Sequence, residues 1–92
     1  MIRSIRHKGL RRLYEHAETR GIFAEHVTKI RDILARLDAA RSVEDMDVPG
    51  LRLHALKGAQ AGFHAITVRA NWRIVFRFEE RDVFDVDYVD YH

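Results

Sequence analysis

The stretch Asn71–Phe78, NWRIVFRF, decides how the rest of the chain is read. Every second position is large and apolar: Trp72, Ile74, Phe76 and Phe78 fall on one side, Arg73, Val75 and Arg77 on the other. A period of two belongs to a β-strand with one face against a core, because successive side chains leave opposite faces of a strand. The same period runs outward in both directions. Upstream, FHAITVRA (63–70) sends Ile66 and Val68 one way and Thr67 and Arg69 the other. Before it, LRLHAL (51–56) alternates Leu51, Leu53 and Ala55 with Arg52, His54 and Leu56. Downstream, EERD (79–82) turns the chain, and VFDVDYV (83–89) alternates Phe84, Val86 and Tyr88 with Asp85, Asp87 and Val89. The small residues of GAQAG (58–62) form a loop between the first two strands.

Ahead of Leu51 the period is helical. KGLRRLYEHAE (8–18) places Leu10, Leu13, Tyr14 and Ala17 on one stripe with Arg11, Arg12 and Glu15 outside it, and Gly21 is the expected stop. A longer helix over residues 24–40 carries Val27, Ile30, Leu34 and Leu37 at 3,4,3 spacing. RSVEDMDVPG (41–50), which holds the only proline, is a polar connection, and MIRSIRH (1–7) is at most a short edge strand. The expected fold is therefore α+β: two N-terminal helices packed on one face of an antiparallel sheet of about four to five short strands. The other face is left for water or a ligand.

Size and composition narrow the classes. The 92 residues suit a single domain spanning 1–92, and 47% hydrophobic with 33% charged residues is a globular balance. Without cysteine the chain has no disulfide, no thiolate zinc site and no cysteine nucleophile. No apolar run approaches the ~18 residues of a membrane span, and the basic N-terminus lacks the apolar core of a signal peptide. A soluble cytoplasmic protein with no membrane partner is expected. Lys and Arg number 16 against 14 Asp and Glu, so only the placement of the cations can point to a polyanion. Phosphate loops, the G-x-S-x-G and H-E-x-x-H motifs and dinucleotide fingerprints are all missing from the sequence. The acids Asp82, Asp85, Asp87 and Asp90 lack EF-hand or zinc spacing and suit a solvated strand face.

Alternation makes one geometric statement about function. With Leu51, Leu53, Ile66, Val68, Trp72, Ile74 and Phe76 turned to the helices, His54, Arg69 and Arg73 should share the uncovered face, with Lys57 at the edge of the 58–62 loop. Arginine offers a planar fork to phosphate oxygens and lysine a point charge. A histidine among them adds a group able to move protons near neutral pH. Arginines on a sheet face are also ordinary solubilising residues, so the pattern alone leaves both readings open.

At LHALKG (53–58), ITVRANWRIVFRF (66–78) and the closing VDYH (89–92), the sequence resembles the HigB branch of the RelE/ParE toxin superfamily, and the likeness extends to the opening MIRSIRHKGL (1–10) and the helix pair. The resemblance implies a compact α+β toxin of a type II toxin–antitoxin pair. Such a toxin is an endoribonuclease that enters the A site of the 70S ribosome and cuts mRNA during translation. It needs no metal or other cofactor. A HigA-type helix-turn-helix antitoxin holds it inactive, and operator DNA is reached only through that antitoxin. Carried onto this chain, the family's catalytic positions fall on His54, Asp90, Tyr91 and His92, and its cationic supports on Lys57, Arg69 and Arg73.

Those residue types suit RNA cleavage by the substrate's own 2′-hydroxyl. That reaction needs a base for the 2′-OH, positive charge at the phosphate and an acid for the departing 5′-oxygen. His54 and His92 would divide the proton work in either order, and Asp90 would fix a histidine tautomer or act as base. Tyr91, of a class that ionises near pH 10, would position the 2′-OH or a base. Arg73, Lys57 and Arg69 would hold the phosphate. Two other readings stand beside this one: a ParE-like inhibitor of DNA gyrase, and an RNA-binding module without turnover. The apolar stripes are used within the domain, so a free monomer is expected.

Overall fold

The computed structural model describes residues 1–91; the expectation placed on His92 lies outside the described residues. Helix α1 spans Lys8–His16 and α2 spans Val27–Ala39. Strands β1 (His54–Ala55), β2 (His64–Arg69), β3 (Trp72–Glu79) and β4 (Asp82–Asp90) form an antiparallel sheet in sequence order. Short 3-10 turns cover Ala24–His26, Val43–Met46 and Gly58–Gln60. The helices pack on one face of the sheet, as expected. Leu10 and Leu13 from α1 and Ile30, Ile33, Leu34 and Leu37 from α2 meet Ile66, Val68, Ile74, Phe76, Val83, Val86 and Tyr88 in one buried cluster. Each such side chain, fully buried, contributes roughly 1.5–3 kcal/mol, which is what holds two short helices on so small a sheet.

The N-terminal segment completes the sheet's far edge. Ile2 and Ile5 bridge in parallel to Val83 and Val86, with Arg3 N–H donating to the Val83 carbonyl at 2.7 Å and Arg6 N–H to that of Val86 at 2.8 Å. Asp38 on α2 binds this segment and α1 together: it accepts from Ile2 N–H at 3.0 Å and from the Tyr14 hydroxyl at 2.7 Å. The bond from Ile2 and that from Tyr14 hold the Asp38 carboxyl below the usual carboxylate range. Partial burial, then Asp38, push the Tyr14 hydroxyl up to about 12. Tyr14 is thus a surface latch, not the core residue its spacing suggested.

Two departures from strict alternation correct the strand reading. Opposite Val75–Arg77, β4 carries one extra residue, so that Val75 pairs with Asp87 and Arg77 with Phe84. Asp85, at φ 56°, is the bulge. Val83 therefore shares the core face with Val86, while Phe84 turns outward under the Arg77 guanidinium, 4.9 Å from its ring centre. The second bulge lies at Val68 on β2, between the pairs Thr67–Arg73 and Arg69–Trp72. It reverses the phase of Arg69.

The first helix also ends earlier than expected. After Leu13 no side chain reaches the core until Ile22, and α1 stops at His16 with Ala17 in the left-handed region at φ 57°, ψ 23°. Gly21 instead allows a close approach of two backbones. Its carbonyl would lie 3.1 Å from a side chain at Gly9, and the Gly9 Cα already lies 3.3 Å from where a Gly21 side chain would begin. A left-handed alanine costs about 1–2 kcal/mol that glycine avoids. Ala17→Gly should therefore raise the unfolding free energy by about 1 kcal/mol in urea denaturation; an unchanged or lower midpoint would contradict the cap geometry.

Helix α1 begins on an unusual cap, the His7 ring nitrogen Nδ1 accepting from Leu10 N–H at 3.2 Å. Only a ring with a lone pair on Nδ1 can accept. Burial, opposed by Asp87 and aided by Arg12, lowers the His7 pKa below 6.5. A base that titrates lower in the fold than in the unfolded chain contributes stability in full above the ordinary histidine range and loses it as pH falls through that range. Stability should decline below pH ~6.5, and His7→Asn, whose side chain caps without titrating there, should flatten that part of the profile.

Candidate active site

Residues directly opposite one another across a ladder share a face. By register, His54, Ala65, Val75 and Asp87 form one row on the face away from the helices, and Thr67, Arg73 and Val89 form the next. His54 and Arg73 are thereby brought to one face, as alternation predicted. That face is only partly open. The segment after β1 folds back over it, with Leu56 N–H donating to Phe63 O at 2.9 Å. Phe63, Gln60 and Ala59 then line a shallow depression of about 210 Å³ with Val75, Val89, Asp87 and Arg6. Lys57 is exposed at the start of the Gly58–Gln60 turn.

Tyr91 reaches the same place. Tyr91 N–H donates to Asn71 O at 2.8 Å, extending the β3–β4 ladder past its last assigned pair. Alternation from Val89 puts the Tyr91 side chain on the His54 face, and its hydroxyl donates to Gln60 Oε1 at 3.3 Å. One bond thus ties Tyr91 to the loop that opens with Lys57. Arg73 is folded over the β2–β3 turn, its Nη1 donating to Ala70 O at 2.6 Å and Trp72 O at 3.1 Å.

His54 is exposed, and its Nδ1 lies 3.1 Å from the Arg52 carbonyl. A carbonyl can only accept, so Nδ1 carries the proton. In the neutral ring the lone pair then sits on Nε2, the arrangement a general base requires. Arg52 holds φ 52°, and that left-handed turn presents its carbonyl to the ring. Nearby, hydrogen bonding from Arg77 (2.8 Å), opposed by partial burial and assisted by Arg6, holds the Asp85 carboxyl below the usual carboxylate range. Asp82 is bound by Arg3 at 3.1 Å and by the N-terminal amine at 3.4 Å. These two acids are engaged in fastening the N-terminal segment to β4.

Arg69 and Asp90 stand elsewhere. The bulge at Val68 turns Arg69 to the helix side, where its Nη1 lies 3.1 Å from Glu25 Oε2. The expectation that it shares a face with His54 is corrected. Asp90 pairs across the ladder with Trp72, whose ring belongs to the helix side, and its charge together with Glu25's is felt at the Tyr88 hydroxyl. Asp90 and Tyr91 therefore flank the same sheet corner from opposite faces.

Behind that corner lies a group the sequence reading missed. His26 is buried at 3% exposure, and its Nδ1 lies 2.6 Å from the Tyr88 hydroxyl. Burial first, with Asp90 and Glu25 adding to it and a bond from the Phe23 N–H opposing it, raises the Tyr88 pKa, so the phenol stays neutral in its hydrogen bond with His26. Trp72 lies against Tyr88 with ring centres 4.5 Å apart, and His7 meets Tyr88 edge-on at 5.2 Å. The signal was present: residues 26, 30, 33 and 37 form a 4,3,4 stripe, one turn longer than the apolar stripe alone.

Comparison with solved structures supports the architecture. The chain superposes on a mutant of YafQ from E. coli with a TM-score of 0.63 at 12% identity, covering 98% of this chain and 91% of that one. It superposes on a YoeB/ParE toxin from Agrobacterium tumefaciens with a TM-score of 0.52 at 20% identity, over 76% and 77% of the two chains. The fold is that of the RelE-like toxins. Residues 3–92 match the HigB-like toxin model, described as a RelE-like toxin of the type II toxin–antitoxin system HigB, and the chain belongs to that family. It is also 44% identical over its full length, and over the whole of the relative, to the endoribonuclease HigB of Proteus vulgaris.

The His26–Tyr88 bond is the buried polar link in this corner. Tyr88→Phe should leave His26 Nδ1 without its hydrogen-bond partner and cost about 1–3 kcal/mol. A double-mutant cycle with His26→Phe should return a coupling of about 0.5–3 kcal/mol. Additive losses would show that the two side chains do not act as a pair.

Proposed function

We propose that this chain is a ribosome-dependent mRNA endonuclease, the toxin of a type II pair, cutting message in the A site and held inactive by a helix-turn-helix antitoxin of the HigA type. The observation that carries the reading is His54: its proton is fixed on Nδ1 by the Arg52 carbonyl, and its Nε2 stands on the same face as Arg73 and Tyr91. The endoribonuclease activity of the Proteus vulgaris relative supports the same chemistry here.

In the proposed mechanism His54 Nε2 takes the proton of the 2′-hydroxyl, whose oxygen attacks the adjacent phosphorus. Arg73, released from the hairpin turn, and Lys57 meet the negative charge that builds on the phosphate oxygens. Tyr91, steadied by Gln60, positions the ribose or a base. The 5′-oxygen departs with a proton supplied by His92, and Asp90 at the same corner orients that acid. The products are a 2′,3′-cyclic phosphate and a 5′-hydroxyl. Arg69, across the sheet with Glu25, supports binding of the RNA strand from the other side of the corner.

A positioned acid or base is worth roughly 10²–10⁴-fold. His54→Ala, Arg73→Ala and His92→Ala should each lower cleavage on translating ribosomes by at least about 10²-fold and abolish growth arrest. Full toxicity after His92→Ala, or after removal of the last two residues, would sink the terminal half of the assignment. Binding to ribosomes should also weaken steeply between low and moderate salt; a flat response would remove the cations from the interface.

A further inference from the structure

Next to the proposed site, on the helix side of its corner, Phe23 leaves 54% of its surface in water. Its ring is nonetheless fixed, meeting His26 edge-on at 5.4 Å and 73° and Trp72 at 5.3 Å and 70°. Trp72 is itself held against Tyr88. Phe23, Trp72, Arg69, Glu25, His26 and Ala70 line a shallow depression of about 200 Å³. Glu25 orients the Arg69 guanidinium at its rim. The depression adjoins the corner at Asp90 and Tyr91: Trp72 is the cross-strand partner of Asp90, and the neighbouring Asn71 carbonyl binds Tyr91 N–H.

We infer that Phe23 and Trp72 form a stacking platform for one unpaired nucleobase of the single-stranded RNA that passes the site, with the Arg69 guanidinium at its edge. The inference rests on RNA being the substrate. A rigid aromatic ring beside a planar cation is how sequence-tolerant single-strand binders hold bases. A protein partner is the poorer fit. Of the large apolar side chains that stand exposed among the described residues, Met1, Tyr14 and Phe23, only Phe23 lies here, framed by Arg69 and Glu25. One ring in a charged frame suffices for stacking but offers far less apolar area than a stable protein interface buries.

Trp72 is the chain's one tryptophan, so its fluorescence reports on this platform without reliance on cleavage. The purified full chain is titrated with a short single-stranded oligoribonucleotide and with the same oligonucleotide made abasic throughout. The intact oligonucleotide should quench Trp72, and the abasic one should bind without quenching. Phe23→Ala should weaken binding about tenfold, as expected for the loss of one stacked base, while Phe23→Tyr keeps it. Unchanged affinity in Phe23→Ala, or equal quenching by the abasic strand, would overturn the platform. So would a Phe23→Ala protein that loses its antitoxin while binding RNA normally. Binding as expected without cutting on ribosomes would refute the nuclease reading and leave the platform standing; cutting by a protein whose RNA affinity ignores Phe23 would do the reverse.

Discussion

One constraint organises this molecule: the helices cover only one face of a four-stranded sheet, so the position of each residue on its strand decides whether it meets the helices or the opposite, partly open face. β3 lies inside the sheet between β2 and β4, and its Ile74 and Phe76 are fully buried. Once those two face the helices, Arg73 must face away. Pairing then carries His54 and Val89 to the same side. A shift of one residue in any of these registers would exchange the core for the site.

The two bulges are where that rule is broken, and both have consequences. At Asp85 the extra residue places Val83 in the core and turns the Asp85 carboxylate to Arg77, with Ser4 Oγ accepting its N–H at 2.8 Å. The N-terminal segment is thereby fastened along β4. At Val68 the extra residue sends Arg69 across the sheet to Glu25, so Arg69 and Arg73, expected to share a face, are divided between two faces of one corner. Asp90 and Tyr91, adjacent in sequence, flank that corner from opposite faces.

Much of this was legible in the sequence because it follows from period. The two helices, the antiparallel strands β2–β4 and the shared face of His54 and Arg73 all come from counting, whereas the strand expected from Leu51 shrinks to His54–Ala55 because Arg52 takes a left-handed conformation. What period cannot show is where a strand gains a residue, so the expectations for Phe84 and Arg69 failed at the bulges. Nor could it show that Ala17 ends α1 in a left-handed conformation, which alanine rarely adopts. His26 was missed for a different reason: its stripe is apolar everywhere else, and a histidine there joins the core only because Tyr88, far along the chain, supplies a partner. The His54 tautomer was equally hidden, since it depends on the left-handed turn at Arg52.

The central claim is that the side chains gathered around His54 turn the RNA's own 2′-hydroxyl on the neighbouring phosphate. It is tested most directly with a message carrying a single 2′-deoxynucleotide on the 5′ side of a mapped cut, presented on ribosomes to the purified protein. The expected result is that this one site escapes cleavage while neighbouring sites are cut to 2′,3′-cyclic phosphate and 5′-hydroxyl ends. Cleavage at the deoxy position at the normal rate, leaving a 5′-phosphate, would contradict the account.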